Sequence, residues 1–487
     1  MPQPAALLAC VLGLLPWTAP VTAQPDATQG PRRNIILILS DDHRYDFMGF
    51  MKAAPAWLET PALDRMAARG THLRNAFVTT SLCSPSRASI LSGQYAHRHG
   101  VVDNASPIPR GTVFFPEHLR RAGYVTAYVG KWHMGEDDDA PQQGFDRWVS
   151  FRGQGVYTDP ELNIDGIRRA ASGYTTDLLT GHALEWIREH RRATPQRPFF
   201  LTLSHKAVHA EFVPAPRHRG RYAAATIPYP ESMANTEANY RNKPRWVREQ
   251  RNSWHGVDYM YHGRMVFDEF YRRYAETLLA MDESVGRVLD YLDRSGLADS
   301  TLVLYMGDNG FLLGEHGLID KRHAYEESMR IPMLAYAPGL IAPGSTVDAL
   351  VRNIDVAPTV LELAGIAGRP EMDGRSFLPA LRGRTIAAEG EFLYEYYWEY
   401  AFPHTPTTFA LRGDRYKYIF YHGIWDVQEL YDLRTDPHEL SNLAQAPEHQ
   451  ERVGEMRSRL FDRLEAAGAM RVPMRRGAWQ AAERKAP

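Results

Sequence analysis

Cysteine is almost absent from this chain: there are two in 487 residues, Cys10 and Cys83. So few thiols exclude a disulfide-built framework. Net charge is nearly absent as well, at −2. That excludes a global field drawing the chain to nucleic acid or to an anionic membrane. No uninterrupted apolar run is long enough for a bilayer-spanning helix. Internal repeats and low-complexity tracts are also missing. What is present is ordinary for a globular protein, with 44% hydrophobic and 23% charged residues. The length suits a large α/β domain with a smaller satellite and can bury a sizeable core. The 19 His and 10 Trp lean towards an enzyme or a carbohydrate binder.

The N-terminus reads as a targeting segment. Ala5 to Leu15 is apolar and Val21-Thr22-Ala23 resembles a small-residue cleavage site, although Met1-Pro2-Gln3-Pro4 carries no basic residue. We expect a signal peptide over 1–23, a polar linker over 24–33, and a periplasmic or secreted mature protein. Lipidation at Cys10 is the lesser alternative, because the apolar run continues past it. With the signal removed, Cys83 is a lone thiol in an oxidising compartment, which is a reactive liability unless it is buried and inert.

Asn34 to Leu39 is a continuous apolar run ending in Ser40-Asp41-Asp42, the pattern of a central parallel strand buried on both faces. Tyr124–Val129, Phe199–Leu203, Thr301–Met306 and Met333–Tyr336 read as further strands. Helices are expected from Thr60-Pro61 to Gly70, with Thr60 as the cap, from Phe267 to Leu292, and from Asp355 to Ala364. Alternating strands and helices mean an α/β domain (34–390) with a mostly parallel sheet, whose sites gather at the carboxyl ends of its strands. Residues 210–262 lack periodicity and read as an insertion, a lid or a substrate wall. From Glu391 to 472 short alternating runs and a helix over Glu448–Ala466 suggest an antiparallel α+β subdomain, with a basic tail over 473–487.

Two acidic pairs follow apolar strands: Asp41-Asp42 and Asp308-Asn309. Hard oxygen donors suit calcium or magnesium rather than zinc. One such pair alone would more simply cap a helix; two move the balance towards a metal. Cys83 opens the segment CSPSRASILSGQYAHRHG, with Pro85 near a helix start and Arg87 one turn on. A cysteine at a helix N-terminus beside a cation would suit a thiolate nucleophile.

The motif is longer than that. Cys83-Ser84-Pro85-Ser86-Arg87, followed by Ala-Ser-Ile-Leu-Ser-Gly, resembles the signature of the type I sulfatases, in which the Cys is oxidised to formylglycine during export. Gly130-Lys131-Trp132-His133, His209, Gly307-Asp308-Asn309-Gly310, Lys321 and Asp436-Pro437-x-Glu439-x-x-Asn442-Leu443 are similar to that family in the same order, so the resemblance runs from about residue 33 to about 445. It implies an alkaline-phosphatase-like fold, a sulfate monoester substrate, and a formylglycine-generating enzyme as maturation partner. It also implies calcium, ahead of magnesium, held by Asp41, Asp42, Asp308, Asn309 and modified Cys83. Arg87 would stabilise the formylglycine hydrate. Lys131 and Lys321 would grip the sulfate, His209, aided by Lys321, would protonate the leaving group, and His133 would take the proton that restores the aldehyde. His205 is the competitor for the role of His209, and Val208 stands where the family often has Pro.

Gly307 to Pro332 and Tyr394 to Trp398 resemble the glycan-sulfatase branch, which includes N-acetylglucosamine-6-sulfatases. That implies a sulfated carbohydrate substrate, 6-O-sulfated N-acetylglucosamine before others, with Trp398, His404 and Arg412 as sugar contacts. The rivals are an arylsulfatase of broad specificity, a phosphonate or phosphate monoester hydrolase of the same superfamily, and a metal-bound carbohydrate-binding protein without turnover.

Overall fold

The computed structural model describes residues 32–135, 138–367, 371–387 and 389–473. The expected signal peptide, Cys10, nearly all of the linker and nearly all of the basic tail lie outside the described residues. The chain forms strands β1 (Asn34–Ser40), β2 (Thr71–Leu73), β3 (Ala76–Phe77), β4 (Val125–Gly130), β5 (Arg147–Ser150), β6 (Glu161–Ile164), β7 (Ile167–Ala170), β8 (Phe199–Ser204), β9 (Thr301–Gly307), β10 (Met333–Tyr336), β11 (Ser345–Val347) and β12 (Val351–Arg352). All but β3 and β12, which pair with each other, join one sheet in the order β11-β2-β10-β9-β1-β8-β4-β5-β6-β7. Its centre, β9-β1-β8-β4-β5, is parallel. The β10 and β6–β7 strands run antiparallel at the flanks.

The longer helices are α1 (Pro61–Arg69), α2 (Cys83–Ser92), α3 (Thr175–Ala193), α4 (Phe267–Ser295), α5 (Val356–Leu363) and α6 (Gln450–Ala467). Strand β1 explains why the sheet is covered on both faces. Ile36 and Ile38 join a core with α1, α3 and α4, whereas Ile35, Leu37 and Leu39 join a second core with α2 and α5. A strand whose alternate residues enter two cores must be apolar throughout.

The register then fixes the site. Ser40 lies opposite Gly307, Leu39 opposite Ser204, and Ser204 opposite Gly130. Parallel strands point their carboxyl ends the same way, so the segments following β1, β4, β8 and β9 emerge at one edge.

Beyond them, β13 (Glu391–Tyr396), β14 (Thr408–Gly413), β15 (Tyr416–Tyr421) and β16 (Glu429–Asp432) form an antiparallel sheet in sequence order. One face packs Leu393, Phe409 and Leu411 against Met456, Leu460 and Leu464 of α6. The other packs Phe392, Tyr394 and Tyr396 against Phe77, Leu312 and Tyr325 of the main body. This C-terminal subdomain therefore shares its core with the large one.

Two local expectations change. Pro61 does open α1, but Thr60 does not cap it, because its hydroxyl is engaged by Gly49 N (2.7 Å) and donates to Asp64 (2.9 Å). Asp282 of α4 caps α1 instead, accepting from Ala62 N at 3.0 Å and Leu63 N at 2.8 Å. Gly70 ends α1 as expected, and glycine is required there because a Cβ would lie 2.1 Å from the Ala335 carbonyl oxygen. The β6–β7 hairpin was not expected, and turns on Asp165 and Gly166, both at positive φ.

Replacing Asp282 by Ala leaves two buried helix-start N–H groups without acceptors. It should destabilise the fold by about 2 kcal/mol, read as a lowered urea midpoint. An unchanged midpoint would show that α1 is capped by another group.

Candidate active site

Helix α2 begins at Cys83, directly after extended Leu82, and every residue in it is buried. The thiol is fully buried, with Sγ 3.0 Å from Lys321 Nζ and 3.4 Å from Asp41 Oδ1. Lys321 also donates to Asp42 Oδ1 at 2.5 Å. Lys131, delivered by the end of β4, donates to Asp41 and, at 2.6 Å, to Gln154 Oε1. Arg87, one turn into α2, donates through Nε to Asp308 Oδ2 at 2.9 Å and through Nη1 to the Lys131 carbonyl at 2.8 Å. Its guanidinium also lies 3.6 Å from Asp41. Asn309 Nδ2 donates to Asp42 Oδ1 at 2.7 Å. His133 Nδ1 stands 3.3 Å from Ser84 Oγ, beside residue 83. His209 Nδ1 donates to the Ala210 carbonyl at 2.5 Å, which turns Nε2 towards Asp42, 3.9 Å away. Asp42 and His133 both hold positive φ, and such backbone gathers at functional sites.

The sequence-predicted metal and catalytic residues thus meet in one cluster, though they come from positions 41 to 321. His205 does not join it: buried in the core, its Nε2 pairs with Ser284 Oγ at 2.9 Å.

Charge dominates this cluster. Burial works to raise the Asp41 carboxyl, but Lys131, His209, Arg87 and Lys321 overcome it and hold the group well below the usual range. Burial and the Asp41 charge push Asp308 up to about 6, against the opposing pull of Arg87. Burial likewise raises Asp42, only partly offset by Lys321. Burial, with Asp41 adding to it, pushes the Cys83 thiol up to about 12. Burial thus works against a thiolate at this helix start despite Arg87. Burial and nearby lysines hold His133 and His209 well below the imidazole range.

Oxygens of Asp41, Asp42 and Asp308 lie within 4.8 Å of one another, as do the donor atoms of Asp41, Cys83 and His209. The buried Asn309 Oδ1 has no hydrogen-bond partner among the described residues. An orphaned amide oxygen beside three crowded carboxylates fits a hard divalent cation, which would satisfy the first and neutralise the second.

A cleft of about 650 Å³ opens over this cluster, lined by Asp42, His209, Lys321 and Gln154 at the cluster and by Trp254, Phe402 and Trp398 further out. Arg322 lies 3.7 Å from the centre of the Phe402 ring and pairs with Glu399 (2.7 Å) and Asp320 (2.8 Å) along the same wall. Of the expected sugar contacts, Trp398 lines the cleft and is 45% exposed. His404 is exposed and not among the lining residues. Arg412 does not line the cleft: it is buried in an ion pair with Glu326 at 3.1 Å, over the Phe77 ring. Its apolar neighbours make that internal partner obligatory. Sequence reasoning missed Gln154 and also Tyr157, whose hydroxyl donates to the His209 carbonyl at 2.6 Å. Their one sequence signal is the Gly153-Gln154-Gly155 turn.

The family model for Sulfatase matches residues 33–366, and that for N-sulphoglucosamine sulphohydrolase, C-terminal, matches 314–466. An N-acetylglucosamine-6-O-sulfatase of Bacteroides thetaiotaomicron is 32% identical, over 89% of this chain and 86% of its own. Human N-acetylglucosamine-6-sulfatase is 29% identical over 89% of this chain and 84% of its own. A solved complex with its substrate D-glucosamine-2-N,6-O-disulfate superposes with a TM-score of 0.82 at 30% identity, covering 91% of this chain and 99% of that one. The phosphonate monoester hydrolase of Agrobacterium radiobacter shares the fold (TM-score 0.73, 20% identity, 90% and 96% covered). The fold is thus that of the alkaline-phosphatase-like hydrolases. Within it, this chain belongs to the sulfatase family.

Adding calcium or magnesium to metal-stripped protein should raise the melting temperature, by a stabilisation of about 2.7 kcal/mol at a hundredfold excess over Kd. Asp308→Asn should abolish most of that rise. No shift with any divalent cation would remove the metal assignment.

Proposed function

We propose that this sulfuric ester hydrolase removes sulfate from 6-O-sulfated N-acetylglucosamine or a related sulfated glycan, using a formylglycine made from Cys83 and a calcium ion. The observation that carries the reading is the position of Cys83, at the start of α2 amid Lys321, Arg87 and the three carboxylates, beneath the cleft. When present, the modified side chain supplies the nucleophile, and the cation held by Asp41, Asp42, Asp308 and Asn309 polarises the ester.

The remaining roles belong to the chain itself. Lys321 and Lys131 flank residue 83 and Asp41, and are assigned to the sulfate oxygens. Arg87 spans Asp308 and Asp41, and is assigned to hold residue 83's oxygens in register. His209 presents Nε2 at the cleft and is assigned the proton for the leaving alcohol; the negative charge of a bound ester would favour its protonation. His133, next to Ser84, is assigned the base that returns residue 83 to its aldehyde. Residues Ala210, Glu211, Trp254, His255 and Tyr261 of the 210–262 segment line the cleft, which supports reading that segment as a substrate wall. The sugar preference rests on the N-acetylglucosamine-6-sulfatase relatives and on Trp398 at the rim. Export through residues 1–23, and maturation by a formylglycine-generating enzyme on the way, complete the proposal. No helix among the described residues is long and apolar enough to cross a membrane.

Mass spectrometry of the peptide containing residue 83 should show conversion of the thiol to the aldehyde. Purified protein should desulfate 6-sulfated N-acetylglucosamine, and Cys83→Ala should lose activity by on the order of a thousandfold or more. An unmodified thiol in fully active protein, or equal activity in the variant, would overturn the nucleophile assignment. Faster turnover of an aryl sulfate or a phosphonate monoester than of any sulfated sugar would replace the substrate.

A further inference from the structure

The loop that follows β5 carries Gly153-Gln154-Gly155, with both glycines at positive φ. A Cβ on Gly155 would meet the Phe151 ring at 2.3 Å, so the turn is folded tightly over that ring and only glycine permits it. The residue presented between the two glycines is Gln154. Its Oε1 accepts from Lys131 Nζ at 2.6 Å. Its Nε2 donates to no protein group among the described residues, and the side chain lines the cleft. Lys131 itself is fully buried and does not line the cleft. An anion entering the cleft therefore meets Gln154 in front of Lys131.

We propose that Gln154 is a substrate-contacting residue whose amide N–H donates to a non-bridging sulfate oxygen while its carbonyl oxygen anchors Lys131. A neutral amide suits this place. One end must accept from an ammonium and the other must donate to an anion, and an amide does both in one plane without carrying charge. The inference rests on the assignment of the cleft to a sulfate ester, and it adds a donor that neither the metal ligands nor the lysines provide.

Two variants test this contact. Gln154→Glu keeps an acceptor for Lys131 but sets a negative charge where the sulfate would lie. Gln154→Leu removes both functions and adds no charge. Inorganic sulfate is titrated by calorimetry into metal-loaded wild-type and variant proteins of matched melting temperature and matched residue-83 conversion. KM and kcat are measured on the same preparations. The expected order of sulfate affinity is wild type, then Leu about tenfold weaker, then Glu weaker still. If Gln154 makes no contact with the anion, Leu binds sulfate as tightly as the wild type; that result, or three equal affinities, overturns the proposal. Wild-type protein that binds sulfate in the expected order but cleaves no sulfate ester would retire the proposed function and leave the Gln154 contact standing.

Discussion

The structure depends on a balance of buried charge. Asp41, Asp42 and Asp308 are enclosed at the carboxyl edge of the sheet, where each desolvated carboxylate costs several kcal/mol unless compensated. Arg87, Lys131 and Lys321 are buried with them and supply that compensation. The match is incomplete, since Asp308 is pushed up to about 6 and Asp42 is raised as well. A cation bound among these oxygens would complete it. The same three cations surround residue 83, so the groups that make the acidic cluster tolerable are those that would receive an anionic ester.

That balance constrains the fold around it. Cations and carboxylates come from segments following β1, β4 and β9, and from α2, so every central strand must keep its register. Gly130 shows how little slack there is: a Cβ there would lie 1.7 Å from the Ser204 carbonyl oxygen. The two cores that grip β1 from opposite faces provide the rigidity. The C-terminal sheet extends the cleft wall with Tyr397 and Trp398, and its fusion to the body through Phe392, Tyr394 and Tyr396 holds that wall in place.

Legibility in the sequence followed the strength of local patterning. The β1, β8 and β9 strands are readable because a strand buried on both faces is apolar along most of its length. The β6–β7 hairpin escaped because β7 is exposed along its whole length and carries no alternation, although Asp165-Gly166 is a turn signal in its own right. The cap of α1 was misassigned to Thr60 because a local rule cannot see Asp282 arriving from α4. The reading of Arg412 as a sugar contact rests on the resemblance of its segment to the glycan-sulfatase branch. What the sequence conceals is that its guanidinium already has a carboxylate partner in Glu326.

The sequence by itself determined the kinds of chemistry available: an acidic pair at each of two strand ends, a lone Cys at a helix start followed by Arg87, and isolated Lys and His residues in a family-like order. Those are properties of local composition and spacing. Only the tertiary structure decided which of them face one another. It brought Lys321 to Cys83 and Asp42 and sent His205 into the core; it also turned Arg412 inward and placed Gln154 between Lys131 and the cleft. The physical reason is that hydrogen bonds and ion pairs act over a few ångströms, and those distances are set by sheet register and two-sided packing rather than by position along the chain.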